Sequence, residues 1–586
     1  MLDKLTIVTL SWRQIKQFGA GAIVVALILT GCASAPEREQ TGTGIEAGDS
    51  ASYNDREWPE NVSHHLREAE RSAAVGDQLS ALEHLLEAAR ESGDAQMTQQ
   101  VVAMAWRMGE WQALIEAAEM WQAVEPEAAD ARRLRALGLL NSGRGDDAAD
   151  AMAAWLSAAD PAVRPQVWRE LVQILAAADE DTALEVMDQL VQDAPAETDA
   201  AQLLRARSQL KWQLDRPEEA LELALQAAEQ SPVRTHLVWS AQLATALDDY
   251  ETALELYRRA RYEDSADVTL GLSEAEVLRQ LDRMEDALAV LSALEDTPDV
   301  LYSRAQYQHL AGQEAAARDS WRQLADWVPV EDADHHSFLV AWLAEGIGLK
   351  SEAADWYARV RGGPNVDRAL LRRAVLLADD GRMDQARQLL ILARDTEQPD
   401  LREQAWLIEA ELLREAGQSD VAVELLGQAL REAPRSTALL YTRAISAIEI
   451  DDLELAEQDF RQIIRMDGDN AMALNALGYT LTDRTGRHRE AYRLIRRALD
   501  LQPEEPAILD SMGWVYFRLG RPETALGYLE RALAGEDNPE IAAHLGEVLW
   551  HLDRSEEAQE LLQAAWKRHP DDRHLADTME RLDLLP

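Results

Sequence analysis

From residue 58 to the C-terminus, small and apolar residues recur about every 34 residues, the length of one helix-turn-helix unit in a repeat array. The last three units show the pattern most openly. Ala476-Leu477-Gly478, Ala491, Ala498 and Pro503 recur as Ser511-Met512-Gly513, Ala525 and Ala532, and again as His544-Leu545-Gly546, Ala558, Ala565 and Pro570. A small residue in the first helix and two alanines in the second let the helices of a hairpin approach closely, where larger side chains would overpack. The proline ends the second helix because it cannot continue the hydrogen-bond ladder.

The first alanine of the second helix can be followed back through positions 81, 148, 183, 220, 253, 287, 317, 353, 386, 422, 456, 491, 525 and 558, with Leu114 as the one larger occupant. That register predicts fifteen hairpins. Twelve residues later stands a proline in seven of them: Pro126, Pro195, Pro232, Pro329, Pro434, Pro503 and Pro570. Glycine recurs at the turn between the helices, at Gly76, Gly109, Gly143, Gly312, Gly348, Gly381, Gly417 and Gly520. The array is expected to fill residues 58–586, leaving no room for a separate catalytic domain, with Arg361-Gly-Gly-Pro-Asn365 as its internal bend.

A different pattern precedes the array. Lys4, Arg13 and Lys16 lead into an apolar run from Phe18 to Leu29, which has the charge and length of a signal peptide and is short for a membrane span. The run closes on Leu29-Thr30-Gly31-Cys32, which resembles the bacterial lipobox, after which the signal peptide is removed and the new N-terminal cysteine is lipidated. Cys32 is the only cysteine, so an intramolecular disulfide and a cysteine metal cluster are both excluded. Residues 1–31 are thus expected to be a signal peptide, and acyl chains such as palmitate on Cys32 would anchor the protein at roughly 0.8 kcal/mol per buried methylene. In the sorting rule this resembles, aspartate after the cysteine retains the protein at the inner membrane. Ala33 points instead to the periplasmic face of the outer membrane. Residues 32–57 are polar and small, a disordered tether reaching on the order of 25 to 30 Å.

Composition narrows the class. Abundant Ala, Leu, Glu and Arg with only 4 Phe favour helix over sheet, so the chain is expected to be all-α. Its 106 acidic residues against 58 basic ones would repel nucleic-acid phosphates over most of the surface, so no nucleic-acid partner is expected.

The small residue, the two alanines and the closing proline match the tetratricopeptide motif, and the resemblance implies a superhelical solenoid of about fifteen such units. In that class the concave groove is lined by first helices at four motif positions, here Met472, Asn475, Tyr479 and Thr482; Ala507, Asp510, Trp514 and Phe517; and Glu540, Ala543, Glu547 and Trp550. Asn475, Tyr479, Asp510, Trp514, Phe517, Glu547 and Trp550 are the candidate partner-binding residues, because aromatic side chains facing a groove can anchor a peptide or helix. The carboxylate clamp of chaperone-binding relatives uses Lys, Arg and Asn there. Only Asn475 fits, so capture of a free C-terminus is not expected.

No H-E-x-x-H, G-x-S-x-G or G-x-x-x-x-G-K-[ST] motif occurs, and no catalytic residue, metal ligand or cofactor is assigned apart from the lipid on Cys32. His64-His65 and His335-His336 are read as surface or satisfied histidines, since neighbours on a helix point about 100° apart. One basic cluster interrupts the acidic array: Arg489, Arg493 and Arg496 share a helix face and would suit an acidic partner, or else pair with nearby acids on an outer surface.

Asn470 to Tyr479, Pro506 to Trp514 and Pro539 to Glu547 resemble the C-terminal repeats of a family of large tetratricopeptide outer-membrane lipoproteins of gammaproteobacteria. In one branch, from the pseudomonads, the lipoprotein is the adaptor of a periplasmic carboxyl-terminal processing protease. The resemblance implies a non-enzymatic adaptor that binds this protease and its peptidoglycan-hydrolase substrates. A scaffold for polysaccharide export, pilus or outer-membrane protein assembly is the alternative. For the anchor, Cys32→Ser should move the protein from the membrane fraction to the soluble periplasm on cell fractionation; unchanged sedimentation would contradict lipidation.

Overall fold

The computed structural model describes residues 57–194, 198–329 and 332–584. Signal segment 1–31, Cys32, Ala33, tether residues 34–56 and Pro195 lie outside the described residues. Among the described residues there are 31 helices and no strand. Helices α1 (Glu60–Ala74) and α2 (Gln78–Ser92) form the first hairpin, and the alternation runs to α29 (Pro539–His551) and α30 (Ser555–Arg568). Fifteen hairpins are followed by one closing helix, α31 (Arg573–Arg581).

Each hairpin is set by its crossing. All fifteen residues of the alanine register, Leu114 included, are at most 1% exposed. Opposite them, a Cβ added to Gly478 would lie 2.4 Å from Ile495 Cγ1 and 3.2 Å from the Ala491 carbonyl. At Gly513 it would lie 2.6 Å from Leu529 Cγ and 3.2 Å from the Ala525 carbonyl, and at Gly546 2.6 Å from Leu562 Cδ2. Three units thus repeat one contact, a first-helix glycine against a second-helix aliphatic side chain.

In thirteen of the fifteen hairpins the turn has a left-handed residue that closes the first helix. All eight predicted glycines supply it, and at Gly417 the amide bonds the Arg414 carbonyl (2.9 Å) while Gln418 bonds that of Leu413 (2.8 Å). Five more hairpins use Asp215, Asp248, Asp282, Asp451 and Asp553, with φ between 57° and 63°. A search for glycine passes over these, although aspartate is among the few residues that tolerate this conformation. The described prolines of the register all stand just past the end of a second helix.

The array divides into two compact units, one ending at Leu324 and the other beginning at Ala325. In the first unit, core clusters run from Ile115 to Leu210 and from Ala228 to Tyr307. In the second, one cluster runs from Trp406 to Val515. The segment Arg361–Asn365 lies within the second unit. It follows α18 (Lys350–Tyr357), cut to eight residues, and the Arg361 amide is tied to Asp334 Oδ1 of α17 (Ala333–Gly346) at 2.8 Å.

Charges inside the crossings are paired, as burial requires. Asp459, fully buried, accepts two 2.7 Å bonds from Arg443, and Glu409, 1% exposed, is held by Arg387 at 2.7 Å and by Arg394, whose guanidinium lies 3.7 Å over Trp406. A β-branched side chain at the crossing has no such accommodation. Gly513→Val should cost about 1–3 kcal/mol through overpacking, read as a lowered midpoint in urea unfolding; an unchanged midpoint would show that the crossing is not close-packed.

Candidate protein-binding groove

Successive first helices of the second unit stand side by side: α23 (Thr437–Glu449), α25 (Ala471–Arg484), α27 (Pro506–Arg518) and α29. With their second-helix faces occupied at the crossings, their other faces line a hollow of about 980 Å³. A second hollow of about 290 Å³ adjoins it, and the two share Tyr479, Asp483, His574 and Asp577. His574 and Asp577 come from α31, which the repeat register did not anticipate because it lies beyond the last alanine and proline.

Most predicted groove residues line these hollows, but not as free anchors. Asn475, Tyr479 and Asp510 line the larger; Tyr479, Trp514, Phe517 and Glu547 line the smaller. Trp550 lines neither and packs half-buried against the cluster of Ala525, Leu529 and Leu545. Met472 and Thr482 are also outside, Thr482 being buried with its hydroxyl on the Gly478 carbonyl at 2.9 Å. Trp514 is only 5% exposed and stacks on His544, with ring centroids 4.1 Å apart. The Tyr479 hydroxyl donates to Glu540, and Arg581 of α31 is paired with Glu547.

His544 is the residue that the groove positions did not name. It is 7% exposed, and its Nδ1 lies 2.9 and 3.1 Å from the two carboxylate oxygens of Asp510, exactly one 34-residue period earlier. That spacing was readable; what hid it is that His544 sits one place beside the nominal groove position. Burial alone would push its imidazole down, but the charge and hydrogen bond of Asp510 outweigh this, and Glu540 and Asp483 add to the field, so its pKa is raised. Burial, then the Glu540 carboxylate, likewise raises Tyr479, which remains a neutral donor.

The basic cluster lies on α26 (His488–Leu501), which buries Ala491, Ile495 and Ala498 and leaves Arg489, Arg493 and Arg496 exposed. Around it, Arg487 pairs with Glu457 and Glu490, each at 2.7 Å, and Arg484 with Asp451 at 2.6 Å. Arg496 reaches the Tyr492 hydroxyl at 3.3 Å. Of the histidine pairs, His65 lies against the His84 ring and His336 is buried edge-on to Trp356. Among the described residues no three His, Cys, Asp or Glu are placed to hold a metal ion.

Comparison with known proteins agrees with this geometry. Two tetratricopeptide repeat families match, one at residues 516–582 and the other at 205–268 and 441–506. The fold is a tetratricopeptide solenoid. Repeats of this type generally serve as non-catalytic scaffolds for protein partners. The chain is 46% identical over 216 residues to the TPR repeat-containing protein PA4667 of Pseudomonas aeruginosa, covering 37% of this chain and 36% of that protein. It is 30% identical over 100 residues to the type IV pilus assembly protein PilF of the same organism, covering 17% and 39%, and 28% identical over 160 residues to protein FlbA of Caulobacter vibrioides, covering 27% of each. The chain therefore spans well under half the length of these relatives. Similar solved structures include a thermophilic TPR protein of Thermus thermophilus (25% identity, 31% of this chain and 100% of that one, TM-score 0.29) and a tetratricopeptide repeat protein of Parabacteroides merdae (16%, 42% and 97%, TM-score 0.35).

The raised pKa of His544 makes its pair with Asp510 stabilising below the ordinary histidine value near 6.5, and that contribution is lost as pH rises through the folded-state value. Asp510→Asn should therefore destabilise the solenoid by about 3 kcal/mol at pH 5.5 and by clearly less at pH 9, compared by urea unfolding at the two pH values. Equal losses at both would show that the ionisation of the pair does not change between these pH values.

Proposed function

We propose that this protein is a lipid-anchored periplasmic adaptor that holds a carboxyl-terminal processing protease together with its substrates, peptidoglycan hydrolases, at the outer membrane. What supports the reading is the groove itself: an open, preformed channel across the first helices of consecutive repeats, in the segment whose sequence resembles such adaptors. The mechanism asks for no bond-making by this chain. A tether and two binding surfaces turn an encounter between dilute proteins into a local one, raising the effective concentration of substrate at the protease. The buried ties between α25, α27 and α29 hold the groove in shape before binding, which lowers the ordering cost of association.

A second reading, a scaffold for another envelope assembly, is favoured by the similarity to the pilus assembly protein. The two separate in one experiment. Capture on the chain beginning at Cys32, followed by mass spectrometry of periplasmic proteins, should recover a processing protease and a cell-wall hydrolase, and adding the chain should speed hydrolase cleavage by the purified protease at least several-fold. Unchanged cleavage with no protease captured would overturn the adaptor reading, and recovery of pilus or other assembly components would support the second.

A further inference from the structure

We infer that the C-terminal groove is a receptor for an extended, lysine- or arginine-bearing segment of a partner protein. The inference takes from the adaptor reading only that the occupant is a protein; the chemistry of the occupant comes from the groove.

Seven carboxylates and three arginines line the larger hollow. Two of the arginines are already committed, Arg414 to Glu449 at 3.1 and 3.2 Å and Arg484 to Asp451 at 2.6 Å, while the exposed Arg573 stands 3.9 Å from Asp577. Asp483, exposed at the junction of the two hollows, has no cation paired with it among the described residues. Its charge contributes to raising both Tyr479 and His544, so the field at the junction is negative where an incoming side chain would lie. Tyr479, Trp514 and Phe517 flank the same junction, and the Arg518 guanidinium already lies 5.8 Å over the Trp514 ring. Carboxylate beside aromatic face is the setting that suits a desolvating Lys or Arg side chain.

A second observation is independent of charge. Among the described residues, Trp514, which lines the smaller hollow, has no acceptor for its Nε1–H, and Asn475, which lines the larger, has no donor to its Oδ1. The Trp514 side chain is more than nine-tenths buried, so its idle donor carries a desolvation cost in the free protein. Both atoms are covered in the free protein, so an extended peptide offers the missing partners, a backbone carbonyl for the indole and an amide for the asparagine, once it shifts the side chains over them. A free C-terminal carboxylate meets repulsion instead, since seven carboxylates face three arginines in the larger hollow and two of those arginines are already paired.

The test uses the full chain in detergent micelles and two fluorescein-labelled decapeptides, (Lys-Thr)5 and (Glu-Thr)5, read by fluorescence anisotropy. The lysine peptide should bind and the glutamate peptide should not. Asp483→Asn with Asp577→Asn should weaken binding at least tenfold, whereas the charge-matched pair Glu530→Gln with Glu560→Gln, on exposed positions of second helices, should change it less than twofold. Equal losses in the two double variants would reduce the effect to bulk charge and overturn the inference, as would equal binding of the two peptides. A benzophenone-tagged lysine peptide should cross-link within residues 437–581, and cross-links confined to residues before Ala325 would overturn it whether or not the variants fold. Protease acceleration measured with the same variants separates the two claims. Acceleration that survives while the lysine peptide fails to bind removes this inference and leaves the adaptor reading; peptide binding without acceleration does the reverse.

Discussion

The close crossing of two helices within each hairpin is the constraint on which the rest of this protein depends. Where a glycine of the first helix faces the backbone and an aliphatic side chain of the second, no Cβ fits, and the separation of the helices is set by the absence of one carbon. Three units have this glycine, and all fifteen hairpins bury a small or apolar residue on the second helix, which leaves them little freedom to slide. Long second-helix side chains then fill the space between neighbouring units and join them into continuous cores.

From that constraint follows a groove. A first helix that turns one face to its partner must present another elsewhere, and when α23, α25, α27 and α29 stand in rank these faces make one lined channel. Polar ties then set its shape. Asp510 and His544 join α27 to α29, Tyr479 reaches from α25 to Glu540 of α29, and α31 closes the end by pairing Arg581 with Glu547. The aromatic residues are walls of this channel more than hooks projecting from it, because each is already engaged with a neighbour.

Much of the fold was legible because its determinants are local and periodic. The alanine register found every hairpin, since a small residue at the crossing is favoured and a larger one stands there only at Leu114. The glycine turns were equally visible, and the aspartate turns were passed over because aspartate is also a common cap and surface residue in so acidic a chain. The groove positions were mostly placed on the correct helices. Trp550 is on such a helix too but lies outside both hollows, because position in a motif says which face a residue starts from and not whether a neighbouring unit will cover it.

What the sequence by itself determined is therefore the unit: two helices, their crossing residues, their turns and their number, all specified by contacts within about 34 residues. The partnership of Asp510 with His544, the engagement of Tyr479 by a residue 61 positions away, and the addition of α31 to the groove were decided only when the units stacked. A repeat sequence encodes each hairpin's own contacts strongly and its neighbour's weakly, because the stacking interface is shared between two units that must both be known before either side chain has an environment. The division at Ala325 belongs to the same class, since compactness is a property of many stacked units and of no single one.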